Sequence, residues 1–440
     1  MRTAGLYSGT VLVLGVVAFI ESLAFSIPVS YFPNYAMSLG ASVASIGIFT
    51  SSFMAASTLM SPKLGGLSDK LGRKKVILWG LLGDVIFGAL TGLVPSWLWL
   101  LLVRTINGAV TAAATLPAEA LLVDSAPPDR WGEAAGFVAS CAMLGRNVGP
   151  VFGGAAQFAA LQFVSLEDSY RIPYFVDAGL AVLAMVLVAW KIKDKPIGEI
   201  GSRIKAETSI GRSSRTERNF QPETTRSFKI LLLTAFTNGL SLGFIIPVMA
   251  LFFQDKFGLE PIEIGSVMSI SGLVGITVSW IAGRASDRFG RRPLIALGGL
   301  SSRLGGLVLP LTADPAQATL VLSARSLAFN IYMPSMRALL ADLTPEESRG
   351  RLFGLYNSFF TAGDIAGPVI ATYLYDLFRF YSWELGGLAL PGYGVPFYVN
   401  SLIGIASIII LLAFVKETVR VKPRTRMTRS NDPRTLEGTS

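Results

Sequence analysis

Long apolar stretches alternate with short polar or charged loops along almost all of this 440-residue chain. Twelve stretches reach about 20 residues, the length that an α-helix needs to cross the hydrocarbon core of a bilayer. They lack the two-residue alternation of a membrane β-strand, and a spanning segment must satisfy its own backbone, so helices are predicted. The predicted spans, numbered 1 to 12, are residues 8–33, 43–64, 75–95, 97–122, 133–158, 172–191, 229–253, 263–284, 292–313, 317–341, 351–376 and 394–416.

Two polar segments divide and end this pattern. Residues 192–228 are rich in Lys, Arg, Ser, Thr and Glu and cannot bury a core, which predicts a mobile cytoplasmic linker. Residues 417–440 are basic and polar, which predicts a cytoplasmic tail. The predicted domains are therefore an N-terminal six-helix bundle at 1–191 and a C-terminal six-helix bundle at 229–416.

A charged loop after span 2 returns after span 8. The first copy is GGLSDKLGRKK at residues 65–75, and the second is GRASDRFGRRP at 283–293, a shift of 218 residues. The same shift pairs Asp124 with Asp342, Pro127 with Pro345, Gly132 with Gly350, Gly136 with Gly354, Gly145 with Gly363, Gly149 with Gly367 and Pro150 with Pro368. Chance does not hold one register across so many positions, so two homologous membrane halves with the same orientation are predicted.

Composition and charge agree with a membrane protein. The chain is 51% hydrophobic with 45 glycines, and its mean hydropathy is +0.54, which excludes the soluble globular classes. The net charge of +9 could indicate nucleic-acid binding, but the positions of the basic residues along the chain argue against it. Most Lys and Arg residues fall in loops on one side, with Arg171, Lys256 and Arg379 on the other. This pattern predicts that both termini are cytoplasmic and that anionic lipids, not nucleic acids, are the counterpart.

Several kinds of chemistry are disfavoured. Cys141 is the single cysteine, so there is no disulfide framework, and the absence of histidine removes the commonest metal ligand. No nucleotide-binding loop, metal-ligand cluster or nucleophile triad is apparent. The sequence therefore predicts neither an enzyme nor a cofactor or metal site. A membrane sensor would need a folded cytoplasmic domain, for which 192–228 is too short and polar.

The repeated loop resembles the signature of the major facilitator superfamily. The residues that fit its loop between helices 2 and 3 are Gly65, Leu67, Ser68, Asp69, Lys70, Gly72, Arg73 and Lys74. The resemblance implies an all-α membrane fold of twelve helices in two pseudo-symmetric six-helix bundles. It also implies a gating role for Asp69 and Arg73, echoed by Asp287 and Arg291, in which the loop braces helix 2 against helix 11 when the protein faces outward. The alternative is that these residues only set the topology.

Span 5 carries a second motif, which resembles the antiporter signature of twelve-span drug:proton exporters. Its members are Gly136, Gly145, Gly149, Pro150, Gly153 and Gly154, with Arg146 between them. Glycine allows helices to approach closely, and proline removes a backbone hydrogen bond and kinks the helix. Such a helix can seal or hinge the interface between halves. The alternative is ordinary small-residue packing.

Ionisable residues inside spans are expensive in hydrocarbon and mark functional sites by default. They are Glu21, Asp84, Arg104, Arg146, Arg303, Arg325 and Asp364. Arg104 with Asn107 and Gly108 resembles the family's R-x-x-Q-G pattern, which implies a role in proton transfer. A structural Arg bonded to helix carbonyls is the alternative. The predicted proton-coupling set is Glu21, Arg104, Asp364 and Asp84, with Glu21 preferred because helix 1 lines the cavity in this family.

Aromatic and proline positions give a hint about the substrate. Prolines interrupt span 1 at Pro28 and Pro33 and span 7 at Pro247, and interrupted segments in matching places point to the binding site. The predicted substrate-cavity residues are Tyr31, Asn238, Phe329, Tyr332 and Arg325.

The predicted function is a secondary active transporter that exports amphipathic molecules or drugs in exchange for protons, by alternating access. The alternative is transport of a sugar, organic anion or lipid on the same scaffold, by symport, uniport or flipping. A dominant cavity carboxylate favours cationic drugs, and a dominant arginine favours anions. The expected partners are a small-molecule substrate, protons and membrane lipids, and the chain is expected to act as a monomer in the plasma membrane.

Overall fold

The computed structural model describes residues 9–127, 130–192, 222–344 and 348–418. Twelve long helices run through these ranges, one for each predicted span: α1 (Gly9–Ser26), α2 (Val43–Leu71), α3 (Arg73–Leu93), α4 (Trp97–Ser125), α5 (Trp131–Ala160), α6 (Ile172–Lys191), α7 (Pro222–Phe257), α8 (Pro261–Phe289), α9 (Arg291–Val308), α10 (Pro315–Leu343), α11 (Arg349–Phe378) and α12 (Val395–Phe414). Most of the predicted linker at 192–228 and of the predicted tail at 417–440 lies outside the described residues.

Nine of the described helices are long and apolar enough to cross a membrane by length and composition alone. The other three long helices, α5, α10 and α11, are richer in small and polar residues. Two of them, α5 and α11, pack at the contact between the halves, where close approach replaces contact with lipid. The predicted all-helical membrane fold is confirmed.

Two short elements follow α1. A 3-10 turn (Ile27–Ser30) and a short helix (Phe32–Ser38) complete span 1, with Pro28 and Pro33 each near the start of its element, where the missing N–H costs little. The predicted interruption of span 7 is wrong, because α7 continues through Pro247. Proline removes one hydrogen bond there, and α7 packs along α11 over its length.

A small hairpin connects α11 to α12 and departs from the predicted all-helical pattern. Strands β1 (Ser382–Leu385) and β2 (Leu388–Pro391) pair antiparallel. They are joined by Gly386 and Gly387 at φ 59° and 82°, a backbone that glycine adopts without strain and that two-residue hairpins require. A short 3-10 turn (Leu309–Leu311) ends α9, a single helical turn (Leu166–Ser169) precedes α6, and another 3-10 turn (Gly392–Gly394) precedes α12.

The two halves share one core at one end and separate at the other. The shared core joins the beginnings of α2, α4, α6, α8, α10 and α12 to the ends of α7 and α11. At the end that carries the basic loops, each half has its own cluster, one around Leu14 and Leu121 and the other around Leu231 and Leu339. The halves therefore meet away from the basic loops and diverge towards them.

Candidate functional site

A cavity of about 240 Å³ lies within the N-terminal half, between α1, α2, α3, α4, α5 and α6. Three carboxylates from three helices line it: Glu21 of α1, Asp84 of α3 and Asp177 of α6. Arg104 of α4 and Arg146 of α5 also line the cavity, and Phe25 and Phe53 supply apolar wall. The structure therefore brings together Glu21, Asp84 and Arg104 of the predicted proton-coupling set.

The carboxylates differ in their hydrogen bonds. The hydroxyl of Thr111 lies 2.6 Å from Asp84 Oδ1 and 2.9 Å from Asn107 Oδ1, and it donates to one of these acceptors at a time. The other Asp84 oxygen, Oδ2, and Glu21 Oε1 are buried without a hydrogen-bond partner among the described residues. A buried carboxyl oxygen without a donor is a position that a proton or a cationic ligand can occupy.

Arg104 faces this cavity instead of bonding to helix carbonyls. Its guanidinium lies 5.5 Å from the ring centroid of Phe32 and 5.1 Å from that of Phe53, a cation–π geometry. Its Nε is buried without a hydrogen-bond partner in the described ranges. The aromatic rings hold the cation near the carboxylates but leave its N–H groups available.

Asp364, the fourth member of the predicted set, lies on α11 in the other half. It is 8% exposed, and its Oδ1 has no partner within the described part of the chain. Arg146, its repeat equivalent, stacks over the ring of Phe25 at 5.8 Å and interacts electrostatically with Asp364 across the interface between halves. Equivalent positions in the two repeats therefore carry opposite charges within electrostatic reach of each other.

A second cavity, of about 270 Å³, lies mainly within the C-terminal half. Phe329 and Arg325 of the predicted substrate set line it, together with Arg303. The other two C-terminal members lie behind Arg303: the Asn238 amide donates to the Tyr332 hydroxyl at 2.7 Å, and its Oδ1 accepts from Arg303 at 3.2 Å. Asn238 and Tyr332, predicted as cavity residues, are absent from the described lining of this cavity and instead form a hydrogen-bond network with Arg303.

Tyr31 lies apart from both cavities. Its side chain is fully buried in the shared core, and its ring stacks on Tyr170 at 6.2 Å and meets Tyr174 edge-on at 5.9 Å. It does not line either described cavity. It lies at the end where the two halves meet, and there it packs against the aromatic residues near the beginning of α6.

The glycines of α5 face two different partners. A Cβ at Gly145, Gly149 or Gly153 would collide with the backbone of α1 or of the turn after it, and one at Gly154 would collide with Pro261 and Ile262 at the beginning of α8. Gly136 has open space around it. The hydroxyl of Ser30 also donates to the carbonyl of Pro150 at 3.0 Å. The motif therefore joins α5 both to its own half and to the other half.

The predicted gating residues lie at the open end. Arg73 forms a salt bridge with Asp124 of α4 at 2.6 Å, whereas the Asp69 side chain is exposed. In the second copy, Arg291 contacts Asp287 at 2.5 Å and Asp342 at 3.2 Å. The α2–α11 contact lies at the opposite end of both helices, so in this conformation neither loop touches it.

Asp177 is the functional candidate that sequence reasoning missed. It lies inside span 6, in the second turn of α6, and the rule that in-span charges mark sites applies to it as well as to Glu21. Its oxygen Oδ2 would be 3.4 Å from a Cβ at Gly88, so the absence of a side chain there makes room for the carboxylate. The spacing of Gly88 and Asp177 on different helices carries no local sequence signal.

Comparison with known proteins identifies the family. A sequence model of the Major Facilitator Superfamily matches residues 14–228 and 231–437. The chain belongs to this superfamily. It is 24% identical over 382 residues to Multidrug resistance protein 2 of Bacillus subtilis, covering 84% of this chain and 90% of that protein. It is 26% identical over 419 residues to the multi-drug resistance efflux pump PmrA of Streptococcus pneumoniae, covering 92% and 95%.

Solved structures show the same fold. A bacterial homologue of the human lysosomal transporter Spinster, in an inward-facing and occupied conformation, superposes with a TM-score of 0.72 at 17% identity, covering 94% of this chain and 97% of that one. A D-xylose–proton symporter superposes with a TM-score of 0.71 at 17% identity, covering 93% and 98%. Membership of the superfamily, shown by the sequence model, makes the chain a multi-pass membrane transporter and not an enzyme.

Proposed function

We propose that this transporter exports amphipathic, positively charged small molecules across the plasma membrane in exchange for protons. The observation that carries the proposal is the N-terminal cavity, in which Glu21, Asp84 and Asp177 share one space with Arg104. A cationic-drug exporter needs such a dominant set of carboxylates. The relatives named as a multidrug resistance protein and a multi-drug resistance efflux pump support drug export.

The moving units in this proposal are residues 1–191 and 229–416, joined by the segment 192–228. If the basic loops face the cytoplasm, as lysine and arginine bias in loops predicts, both termini are cytoplasmic and the separated end of the halves faces inward. The described conformation is then the one that loads substrate from the cytoplasm. In the opposite state the charged loops at Asp69, Arg73, Asp287 and Arg291 would close that end.

Coupling follows from competition for the same carboxylates. Burial disfavours an uncompensated charge, so each carboxyl group holds either a proton or a cation, or is neutralised by Arg104. A bound cation therefore displaces a proton, and reprotonation from outside displaces the cation. Exchange of one inward proton for one outward univalent cation moves no net charge, so the proton concentration gradient drives it, and the membrane potential adds about 2.3 kcal/mol per 100 mV only for each proton beyond the first.

The proposal is tested with purified protein in proteoliposomes, using ethidium as the cationic probe. Wild type should release protons on ethidium addition and accumulate ethidium inside the vesicles when an outward proton gradient (acidic interior) is imposed. Glu21→Gln should lose proton release, because the glutamine amide does not bind and release a proton at the pH of the assay. Glu119→Gln is the matched control, since Glu119 is an exposed acid on α4 outside the cavity.

Two outcomes would contradict the proposal. Ethidium transport that ignores the proton gradient in wild type would remove the coupling, and co-movement of ethidium and protons in one direction would replace exchange by symport. Equal proton release by wild type and Glu21→Gln would exclude Glu21 as the coupling site and leave Asp84 and Asp177 to be tested in the same way.

A further inference from the structure

Two cavities with different charged side chains lie on adjacent faces of one turn of α5. Arg146 lines the N-terminal cavity with its three carboxylates, and the next residue, Asn147, lines the C-terminal cavity. Consecutive side chains point about 100° apart around a helix, so the two cavities adjoin across this turn. Arg303 and Arg325 line the second cavity, and none of its lining residues in the described ranges is a carboxylate.

Arg303 is surrounded by neutral acceptors. It is 5% exposed, and its guanidinium donates to the hydroxyl of Ser241 and to the side-chain oxygens of Asn238 at 3.2 Å and Asn400 at 3.4 Å. These bonds fix the orientation of the cation but do not neutralise it. A membrane-embedded arginine without a counter-charge is costly, and an anionic ligand would compensate it.

Arg325 is the more available cation. It lines the cavity from α10, and among the described residues none hydrogen-bonds or ion-pairs with its guanidinium. A Cβ at Gly306 would lie 3.9 Å from its Nε, so this glycine lies beside the guanidinium without crowding it. Arginine offers donors in a planar fork that matches an oxyanion. The rest of the wall is largely apolar and includes Met249 and Phe329.

We propose that Arg325, with Arg303 behind it, forms an oxyanion subsite that binds the carboxylate of an amphoteric substrate. The apolar wall takes the body of the molecule, and its cationic part reaches the carboxylates on the other side of α5. This inference rests on the proposed export function and narrows its substrate class from cations to molecules that carry both charges. The observation behind this arrangement is that Arg146 and Asn147, neighbours on α5, each line one of the two cavities.

The test compares two dyes that differ in one group. Rhodamine B carries a free carboxylate beside a cationic xanthylium, and its ethyl ester keeps the cation but lacks the anion. Fluorescence polarisation measures the affinity of purified protein for each dye. Arg325→Gln should weaken rhodamine B binding about 10- to 100-fold, the loss expected for a hydrogen bond between charged groups, and leave the ester unchanged. Arg325→Lys should recover part of the loss, and Arg351→Gln, an exposed arginine at the beginning of α11, should change neither dye.

The outcomes separate this inference from the export function. If a proton gradient drives transport of the ester by wild type but wild type does not bind rhodamine B, the oxyanion subsite is overturned and the export function is kept. Equal loss of both dyes in Arg325→Gln overturns the subsite as well, because the residue then supports the fold and not the anion. Selective loss of rhodamine B binding without proton-driven movement of either dye upholds the subsite and contradicts the coupled export.

Discussion

The hydroxyl of Ser51 on α2 donates to the backbone carbonyl of Ile365 on α11 at 2.5 Å, across the interface between the two halves. Thr372 bonds across the same interface by accepting from the N–H of Gly47 at 3.2 Å. Its hydroxyl also lies 3.0 Å from the carbonyl of Ala44 and 3.0 Å from that of Pro368 in its own helix, and it donates to one of them at a time. All of the contacts across the interface lie in the part of α2 nearest its beginning. They close the end of the molecule opposite the basic loops.

Ser51→Ala should shift the conformational equilibrium away from the described state. One hydrogen bond contributes about 0.5–1.5 kcal/mol, so its loss should change the ratio of the two states about two- to tenfold. The readout is the labelling of a cysteine at position 57, which lines the N-terminal cavity, by an impermeant maleimide applied to either membrane face of a Cys141→Ser background. Ser52→Ala is the control, because the Ser52 hydroxyl bonds to Phe49 of its own helix at 3.1 Å. Equal labelling of the two variants would mean that the Ser51 bond does not stabilise this state.

Gly154→Ala should disfavour the same state more strongly. A methyl group there overlaps the backbone of Pro261 and Ile262, which cannot move without displacing the start of α8. Overpacking of this kind costs about 1–3 kcal/mol, and it applies only while α5 and α8 are in contact. Labelling of the position-57 cysteine should therefore move towards the opposite membrane face. Gly179→Ala on α6 has open space around it and should label as wild type does, and a similar change in both variants would point to a general loss of fold.

Much of the fold was predictable because the duplication leaves a register in the sequence. Gly72 and Gly290, 218 residues apart, both adopt φ 98° between consecutive helices, a backbone that glycine tolerates best. The salt bridge of Arg73 with Asp124 recurs as that of Arg291 with Asp342 at the same spacing. The length of the apolar stretches predicted the membrane spans, and the matching Gly, Asp and Arg positions predicted the repeat. The hairpin after α11 was not predicted, because two four-residue strands are too short to show the two-residue alternation of a β-strand.

The Arg73–Asp124 pair should stabilise the N-terminal half modestly. The two side chains are 11% and 23% exposed, so solvent screens the pair only in part, and a coupling energy of about 1 kcal/mol is expected. A double-mutant cycle of Arg73→Gln and Asp124→Asn, measured by unfolding in mixed micelles, isolates that coupling. The exposed Arg130–Glu133 pair should give a coupling near zero in the same assay. Equal coupling in the two pairs would show that burial does not strengthen the first.

The site was less predictable than the fold, because it depends on which side of each helix faces inward. Glu21, Asp84 and Arg104 were found because a charge in an apolar span is conspicuous. The sequence did not show that Tyr31 packs in the shared core while Phe329 lines a cavity, since both are aromatic residues in apolar surroundings. Nor did it show that Arg303 and Arg325 line a cavity whose described lining has no carboxylate, while the three carboxylates share the other cavity with Arg104 and Arg146. Rotating a helix by one residue, about 100°, would change which side chains face a cavity and which are packed in the core. Residue composition alone does not determine that rotation.

Asp177→Asn should impair export of cationic substrates although its position was not evident from the sequence. It shares the cavity with Glu21 and Asp84, so its loss lowers the negative charge available to a cation and to the exchanging proton. We expect ethidium transport in proteoliposomes to fall about tenfold, as for removal of one partner from a charge pair worth about 1.4 kcal/mol. Asp177→Glu should retain part of the activity because it keeps the carboxylate. Transport of Asp177→Asn at the wild-type rate, with Glu119→Gln also normal, would reduce the working site to Glu21 and Asp84.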